Sequence, residues 1–241
     1  MNGLAPRLLC AKTLLRAEKN NSYGNLALHG ALLHAERAEE LDARDKALCT
    51  AVFQGVTERR LTLDACIAAH AKRRPEQLDA EVRLVLRCGI YELLYLHTPE
   101  AAAVNLWTEC VKKLRKTSAA GMVNAVLRGF LRGGKTVPLP DDPQQAMSVR
   151  YSVPLPLISQ LLRDYDEDTV TAFLADAAEV PPIYVRRNPL FLSEAEFLTR
   201  VPAEKITAVP GAYMPRCLCR TRRKDLYHRG IDGRRGACVC L

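Results

Sequence analysis

Lys112, Lys113, Arg115 and Lys116 place four cations within five positions, and Arg128 and Arg132 follow one predicted helix later. Side chains of this type and density hold phosphate oxygens, which positions a nucleic acid without reading its bases. The same cations at a helix C-terminus would also satisfy the helix dipole with no ligand at all. Residue type alone leaves both readings open. Arg59-Arg60 and Lys72-Arg73-Arg74 are further basic groups at predicted helix ends, and solvated faces account for them. Cys217-Leu218-Cys219, Cys238-Val239-Cys240 and His228 could in principle supply zinc ligands. Both cysteine pairs have a single intervening residue, whereas structural zinc sites use about two to four. Cys10, Cys49, Cys66, Cys88 and Cys110 lie at scattered helical positions without paired spacing and read as small core residues. Trp107, the single tryptophan, is placed with the core rather than as a base-stacking platform. Asn105 and Asn124, at helical edges, could bridge helices or meet a ligand.

The elements that carry this cluster are three consecutive predicted helices over residues 79–132. In the first, 79–96, Val82, Leu86, Ile90, Leu93 and Leu94 recur at helical spacing while Val85 and Gly89 widen the stripe. Such a helix is buried on most of its circumference, and Gly89 predicts a close approach by a neighbour. Thr98-Pro99-Glu100 reads as a restart, with Thr98 as the capping hydroxyl. The second helix puts Ala103, Trp107, Cys110, Val111 and Leu114 on one face and gathers its lysines at the end. Thr117 or Ser118 is expected to cap the third, where Ala119, Val123, Val126, Leu127 and Phe130 point inward and Arg128 and Arg132 outward.

Upstream, helices are expected over 4–16, with Arg7 on or near its edge, and over 26–38, 42–58 and 61–72. Residues 1–132 therefore read as an all-α bundle of about seven helices. Gly133-Gly134-Lys135 and then Pro138, Pro140 and Pro143 break the periodicity, so 133–143 is taken as a linker. Beyond it, 154–164 and 167–178 are predicted helical, Ile183 to Asn188 is a strand bounded by prolines, and a helix is expected over 193–200.

Ala102-Ala103-Val104-Asn105 and the run from Arg115-Lys116-Thr117-Ser118-Ala119-Ala120-Gly121 through Met122-Val123-Asn124-Ala125-Val126-Leu127-Arg128 carry a resemblance. They are similar to the signature of the NusB-like all-helical domain, in the version found at the N-terminus of bacterial small-subunit ribosomal RNA cytosine-C5 methyltransferases of the Sun (Fmu) type. Arg44-Asp45, Gly55-Val56, Glu58 to Asp64, and Arg87 with Tyr91 to Tyr95 support the match, which spans roughly 8–201. Leu106 departs from the pattern, since relatives commonly carry glutamate there. The resemblance implies a mainly α fold, with a NusB-like helical bundle followed by the start of a small α/β RNA-binding subdomain over 144–201. It also implies contact of Lys112, Lys113, Arg115, Lys116, Arg128 and Arg132 with ribosomal RNA. Isolated NusB-like proteins join transcription antitermination complexes by binding RNA and a ribosomal protein, so an RNA and protein interaction module is the alternative.

In that methyltransferase family the methyl group of S-adenosylmethionine is transferred by way of a cysteine nucleophile in a Pro-Cys motif, beside a glycine-rich cofactor turn. A thiolate must reach the exposed base for such covalent catalysis. This chain contains neither a Pro-Cys dipeptide nor G-x-G-x-x-G after a strand. After Val201 the residues left are too few for a doubly wound domain. The expectation is a chain truncated before catalysis, with no catalytic, cofactor or metal residue and no S-adenosylmethionine bound.

At 241 residues with 48% hydrophobic content the polypeptide is sized for one large or two modest folded domains. No window approaches about eighteen uninterrupted apolar residues, and Arg7, Lys12 and Arg16 interrupt any signal-peptide core, so a cytoplasmic protein away from membranes is expected. The net charge of +8 is unevenly spread. From Ala212 on, seven arginines and one lysine face two aspartates, so most of the excess lies in the tail. Whole-chain charge is thus no argument for RNA, and local clusters must carry it. Residues 202–241 turn to Arg, Cys and Gly without an apolar period, which reads as translation out of frame or as a divergent tail.

Overall fold

The computed structural model describes residues 3–20, 23–38, 41–71 and 73–179 with their side chains, a few residues between 190 and 199, and the backbone of four strands at 183–187, 208–210, 217–220 and 237–240. The chain divides into two compact units, Met1–Ala175 and Asp176–Leu241.

The first unit is helical: α1 Leu4–Asn20, α2 Gly24–Arg37, α3 Ala43–Glu58, α4 Arg60–Ala71, α5 Ala80–Tyr95, α6 Glu100–Lys113, α7 Ala120–Arg132, α8 Pro143–Tyr151, α9 Leu155–Asp164 and α10 Glu167–Ala178. α5 is the hub. Every residue from Leu84 to Ile90 on it is buried, and α1, α3, α4, α6 and α7 all pack against it. Gly89 does what its position in the pattern predicts: a Cβ there would stand 2.9 Å from Leu127 of α7. Gly55 of α3 is tighter still, because a Cβ would fall 1.9 Å from the Tyr91 ring. The aromatic ring of one helix therefore lies on the bare backbone of another.

Two expected caps differ. Pro99, not Thr98, occupies the N-cap of α6, because its carbonyl accepts the first helical bond from Ala103 at 3.0 Å, and Thr98 is one residue too early to reach. Thr117–Ala119 form a 3-10 turn instead of a cap, and α7 begins after Ala119 with no side chain on its first amides.

A third difference is α8, which falls in a region read as linker and family segment. Its start is nevertheless encoded: Asp142 accepts from the Gln145 amide at 2.8 Å, with Pro143 at the first helical position. Among its residues Ser148 alone is buried, so it has no stripe to reveal it. α8 docks end-on against α4. The Ser152 hydroxyl accepts from the Leu61 amide at 3.0 Å, and the Thr62 hydroxyl donates to the Val149 carbonyl. A left-handed Ser152 (φ 59°) at the end of α8 thus caps a helix 91 residues earlier. Residues 133–143 consequently join parts of one compact unit. α9 and α10 form as expected and bury Ile158, Val170 and Leu174 among themselves and α8.

In the second unit the backbone at Ile183–Arg187 (β1) is extended as predicted, and with β2 Ala208–Pro210, β3 Cys217–Arg220 and β4 Ala237–Cys240 it forms an antiparallel sheet of order β2-β3-β1-β4. Val185 stands opposite Leu218 on one side and Val239 on the other. The side chains of Cys217, Cys219, Cys238, Cys240 and His228, and most of the helix expected at 193–200, lie outside the described residues. What the described side chains build is an all-helical bundle, and an α/β subdomain over 144–201 finds no support among them. Among the described residues, no helix is long and apolar enough to cross a membrane, and no group of three or more His, Cys, Asp or Glu could hold a metal ion.

Candidate nucleic-acid interface

The basic corner is built by the way α6 ends. Ala103, Val104, Trp107, Cys110 and Val111 are buried, so the last-turn lysines must face outward. The helix then closes in a Schellman turn: the Arg115 amide donates to the Lys112 carbonyl at 3.0 Å and the Lys116 amide to the Val111 carbonyl at 3.1 Å. Arg115 is the left-handed residue of that turn, at φ 63°, where glycine is usual.

The four cations of the corner are not equivalent. Lys112 pairs with Glu109 at 2.6 Å within its own helix. Lys116 reaches Asp79 at 2.7 Å and Glu81 at 3.9 Å at the start of α5. The hydrogen bond that Lys116 donates to Asp79 raises the Lys116 pKa above its ordinary value. Asp79 spends its carboxylate on this lysine and makes no side-chain cap on α5. Lys113 and Arg115 are exposed and have no side-chain partner among the described residues.

Arg128 and Arg132 are exposed as expected, but the structure separates them from the corner. Lys135, just past α7, pairs with Glu100 at the start of α6 at 2.8 Å, so α6 and α7 run antiparallel. Arg132 therefore lies about 18 Å along α7 from its first residue, at the end away from Arg115. Arg128 is held midway, its Nε donating to Asn124 at 3.1 Å. The six predicted contact residues form a corner of four with two outliers along a helix. Of the other basic groups, Arg60, Arg73 and Arg74 are exposed, and Arg59 lies 5.9 Å from the Tyr95 ring centre.

The interior holds charged groups that the sequence did not mark as a site. Arg7, expected at a helix edge, is 4% exposed. Its guanidinium takes both oxygens of Glu92, which is fully buried, and donates to the Gly3 carbonyl. The Trp107 indole donates to the same carboxylate at 2.8 Å. Trp107 is thus a core residue with its polar edge satisfied. A second pair, Arg87 with Asp64 at 2.7 and 2.8 Å, also takes Glu18 at 2.9 Å. Burial works against the Arg87 charge, but Asp64 and Glu18 outweigh it and raise its pKa. Arg87 and Glu18 line a cleft of about 350 Å³ with Phe53, Leu61 and Ser152. The only signal available from sequence was that Arg87 and Glu92 lie on a helix buried on most of its circumference.

The five described cysteines are buried and free. Burial pushes the thiols of Cys66 and Cys110 up to about 12 and raises that of Cys10 well above its usual value. Those three are protonated at neutral pH and shielded, the opposite of what a nucleophilic cysteine needs.

The NusB family model matches residues 4–132, more than half of the chain. The chain belongs to the NusB family. It is similar to the ribosomal RNA small subunit methyltransferase B of Xanthomonas campestris pv. campestris, 30% identical over 206 residues, covering 86% of this chain and 44% of the relative. To a probable ribosomal RNA small subunit methyltransferase B of Synechocystis sp. it is 26% identical, covering 89% and 48%. The chain spans less than half the length of these curated relatives. The Synechocystis match takes in more of the chain than lies before Val201, so the likeness continues into the segment after it. Among solved structures, PH0851 superposes with a TM-score of 0.63 at 16% identity, over 98% of this chain and 53% of that one, which shows the shared fold.

Proposed function

We infer that this chain is an RNA-binding region of a ribosomal RNA methyltransferase type, and that the corner at the end of α6 contacts the RNA backbone. The observation that supports this most is the state of its cations: Lys113 and Arg115 stand exposed and unpaired among the described residues, beside Lys112 and Lys116 in surface pairs that a polyanion can displace. Surface pairs of this kind contribute little to stability, so exchanging a carboxylate for a phosphate costs the fold little. The relatives named as ribosomal RNA methyltransferases supply the substrate class. The segment over 144–201, as the start of a small α/β subdomain, belongs to the same reading.

The test is fluorescence anisotropy of the chain with a labelled ribosomal RNA hairpin over a salt series. If four phosphates are engaged on single-stranded RNA, log affinity falls against log salt with a slope near −3, about −0.7 for each contact. Replacing Lys112, Lys113, Arg115 and Lys116 with alanine flattens that slope. Unchanged affinity and slope in the four-alanine variant would remove the corner from the interface.

Catalysis is not part of this reading. The sequence holds no Pro-Cys dipeptide, and the described cysteines are buried. Calorimetric titration with S-adenosylmethionine is expected to show no heat of binding, and stoichiometric uptake would overturn that expectation.

A further inference from the structure

Arg115 stands at φ 63°, a conformation that is strained for an L-residue and open to glycine. The helix just beyond shows the ordinary solution: α7 ends in the same hydrogen-bonded turn, the Lys135 amide donating to the Phe130 carbonyl at 3.2 Å, with Gly134 at φ 74° in the left-handed position. Two turns with the same pair of hydrogen bonds thus place glycine at the left-handed position in one and arginine in the other, although in the α7 turn Lys135, which follows the glycine, is left-handed as well at φ 55°. Nothing in the fold repays the arginine, because its guanidinium has no partner among the described residues and its side chain is exposed. The left-handed residue does, however, stand at the point where the chain leaves α6, between the paired Lys112 and Lys116 in sequence.

We propose that Arg115 is the residue that fixes a phosphate of the RNA backbone in the corner, and that its strained backbone conformation is retained for that contact at the expense of stability. This rests on the RNA-binding reading above and goes further by separating the four cations. Arg115 makes a forked, directional contact, while Lys112, Lys113 and Lys116 supply charge without a fork.

The experiment compares Arg115→Gly, Arg115→Asn and Arg115→Lys with the wild-type 241-residue chain, measuring thermal unfolding and anisotropy with the same RNA hairpin across the salt series. The tail is common to all four proteins and cancels. Arg115→Gly is expected to raise the unfolding midpoint while weakening RNA binding several-fold and making the salt slope shallower by about 0.7, the share of one phosphate. Arg115→Asn, which tolerates the left-handed region, should lose binding in the same way. Arg115→Lys should keep the slope and lose affinity, since charge is retained and the planar fork is not. A glycine variant that is more stable and binds as well as wild type overturns the proposal; if the four-alanine variant has meanwhile lost binding, the RNA-binding reading survives it. A glycine variant that is less stable than wild type also overturns it, because the arginine would then be there for the fold. A wild-type chain that binds no hairpin removes the RNA-binding reading and this proposal with it.

Discussion

Arg7 and Arg115 both sit near a helix end, yet one is almost dry and the other stands in water. Arg7 is clamped to Glu92 and, through that carboxylate, to Trp107, so three helices share one charge pair. The Arg115 side chain has no hydrogen-bond or ion-pair partner among the described residues and is carried on a left-handed backbone. A satisfied buried cation is committed to the fold. An unsatisfied exposed one is available for a ligand, and charge alone would never have separated the two.

The largest effect that tests this contrast comes from its buried side. Glu92→Ala leaves Arg7 desolvated without a counter-charge and strips the Trp107 indole of its acceptor. It should destabilise the bundle by about 3–5 kcal/mol in urea unfolding. Trp107→Ala belongs to the same range through the cavity it opens. Alanine at Lys112 or Lys116, by contrast, should leave the unfolding midpoint almost unchanged, as loss of an exposed pair does. A loss near 1 kcal/mol for Glu92→Ala would dissolve the distinction. Next in size is Gly55→Ala, whose Cβ overlaps the Tyr91 ring and forces α3 and α5 apart, for a loss of about 1–3 kcal/mol by the same assay. Ser152→Ala removes the acceptor for the Leu61 amide and should cost about 1 kcal/mol.

The smallest effect belongs to the exposed side and has a sign set by pH. Lys116 has its folded pKa raised by Asp79, so whatever stability the pair contributes is fully present below the unfolded lysine pKa. It disappears as pH rises through the folded value, above 10.5. Wild type and Asp79→Asn should therefore differ in unfolding midpoint at neutral pH and converge in strong alkali. Curves that stay parallel to the highest pH would show that the pair contributes nothing.

α5, α6 and α7 were legible because each carries an apolar stripe with helical spacing that names most of its buried residues, although Leu94, Leu114 and Ala119 are only half-buried and Leu84, Arg87, Cys88, Glu92, Val104 and Ala120 are buried outside it. α8 was not, since a helix burying a single serine has no periodicity to read. The basic corner was visible as a cluster of residue types. Its division into paired and unpaired cations was not, because Asp79 and Glu81 reach Lys116 only once α5 lies against α6. Arg7 and Glu92 stand 85 residues apart, and no local pattern links them. The left-handed Arg115 was hidden for the opposite reason: the residue type expected there is glycine, so the outlier shows only in the backbone. The placement of Arg128 and Arg132 with the corner followed their nearness in sequence, and antiparallel packing moved Arg132 to the far end.

The hydroxyl of Ser152 on the Leu61 amide also sets an order of events during synthesis. Chain growth delivers α4 to the exterior of the ribosome well before residue 152 has been added, so the first turn of α4 emerges with that amide open to water. Protection of the Leu61 amide against hydrogen exchange is then acquired only when α8 arrives, after the rest of α4 has been covered by α5 and α7. In pulse-labelled nascent chains halted before and after residue 152, the start of α4 should therefore be the last part of that helix to become slow to exchange.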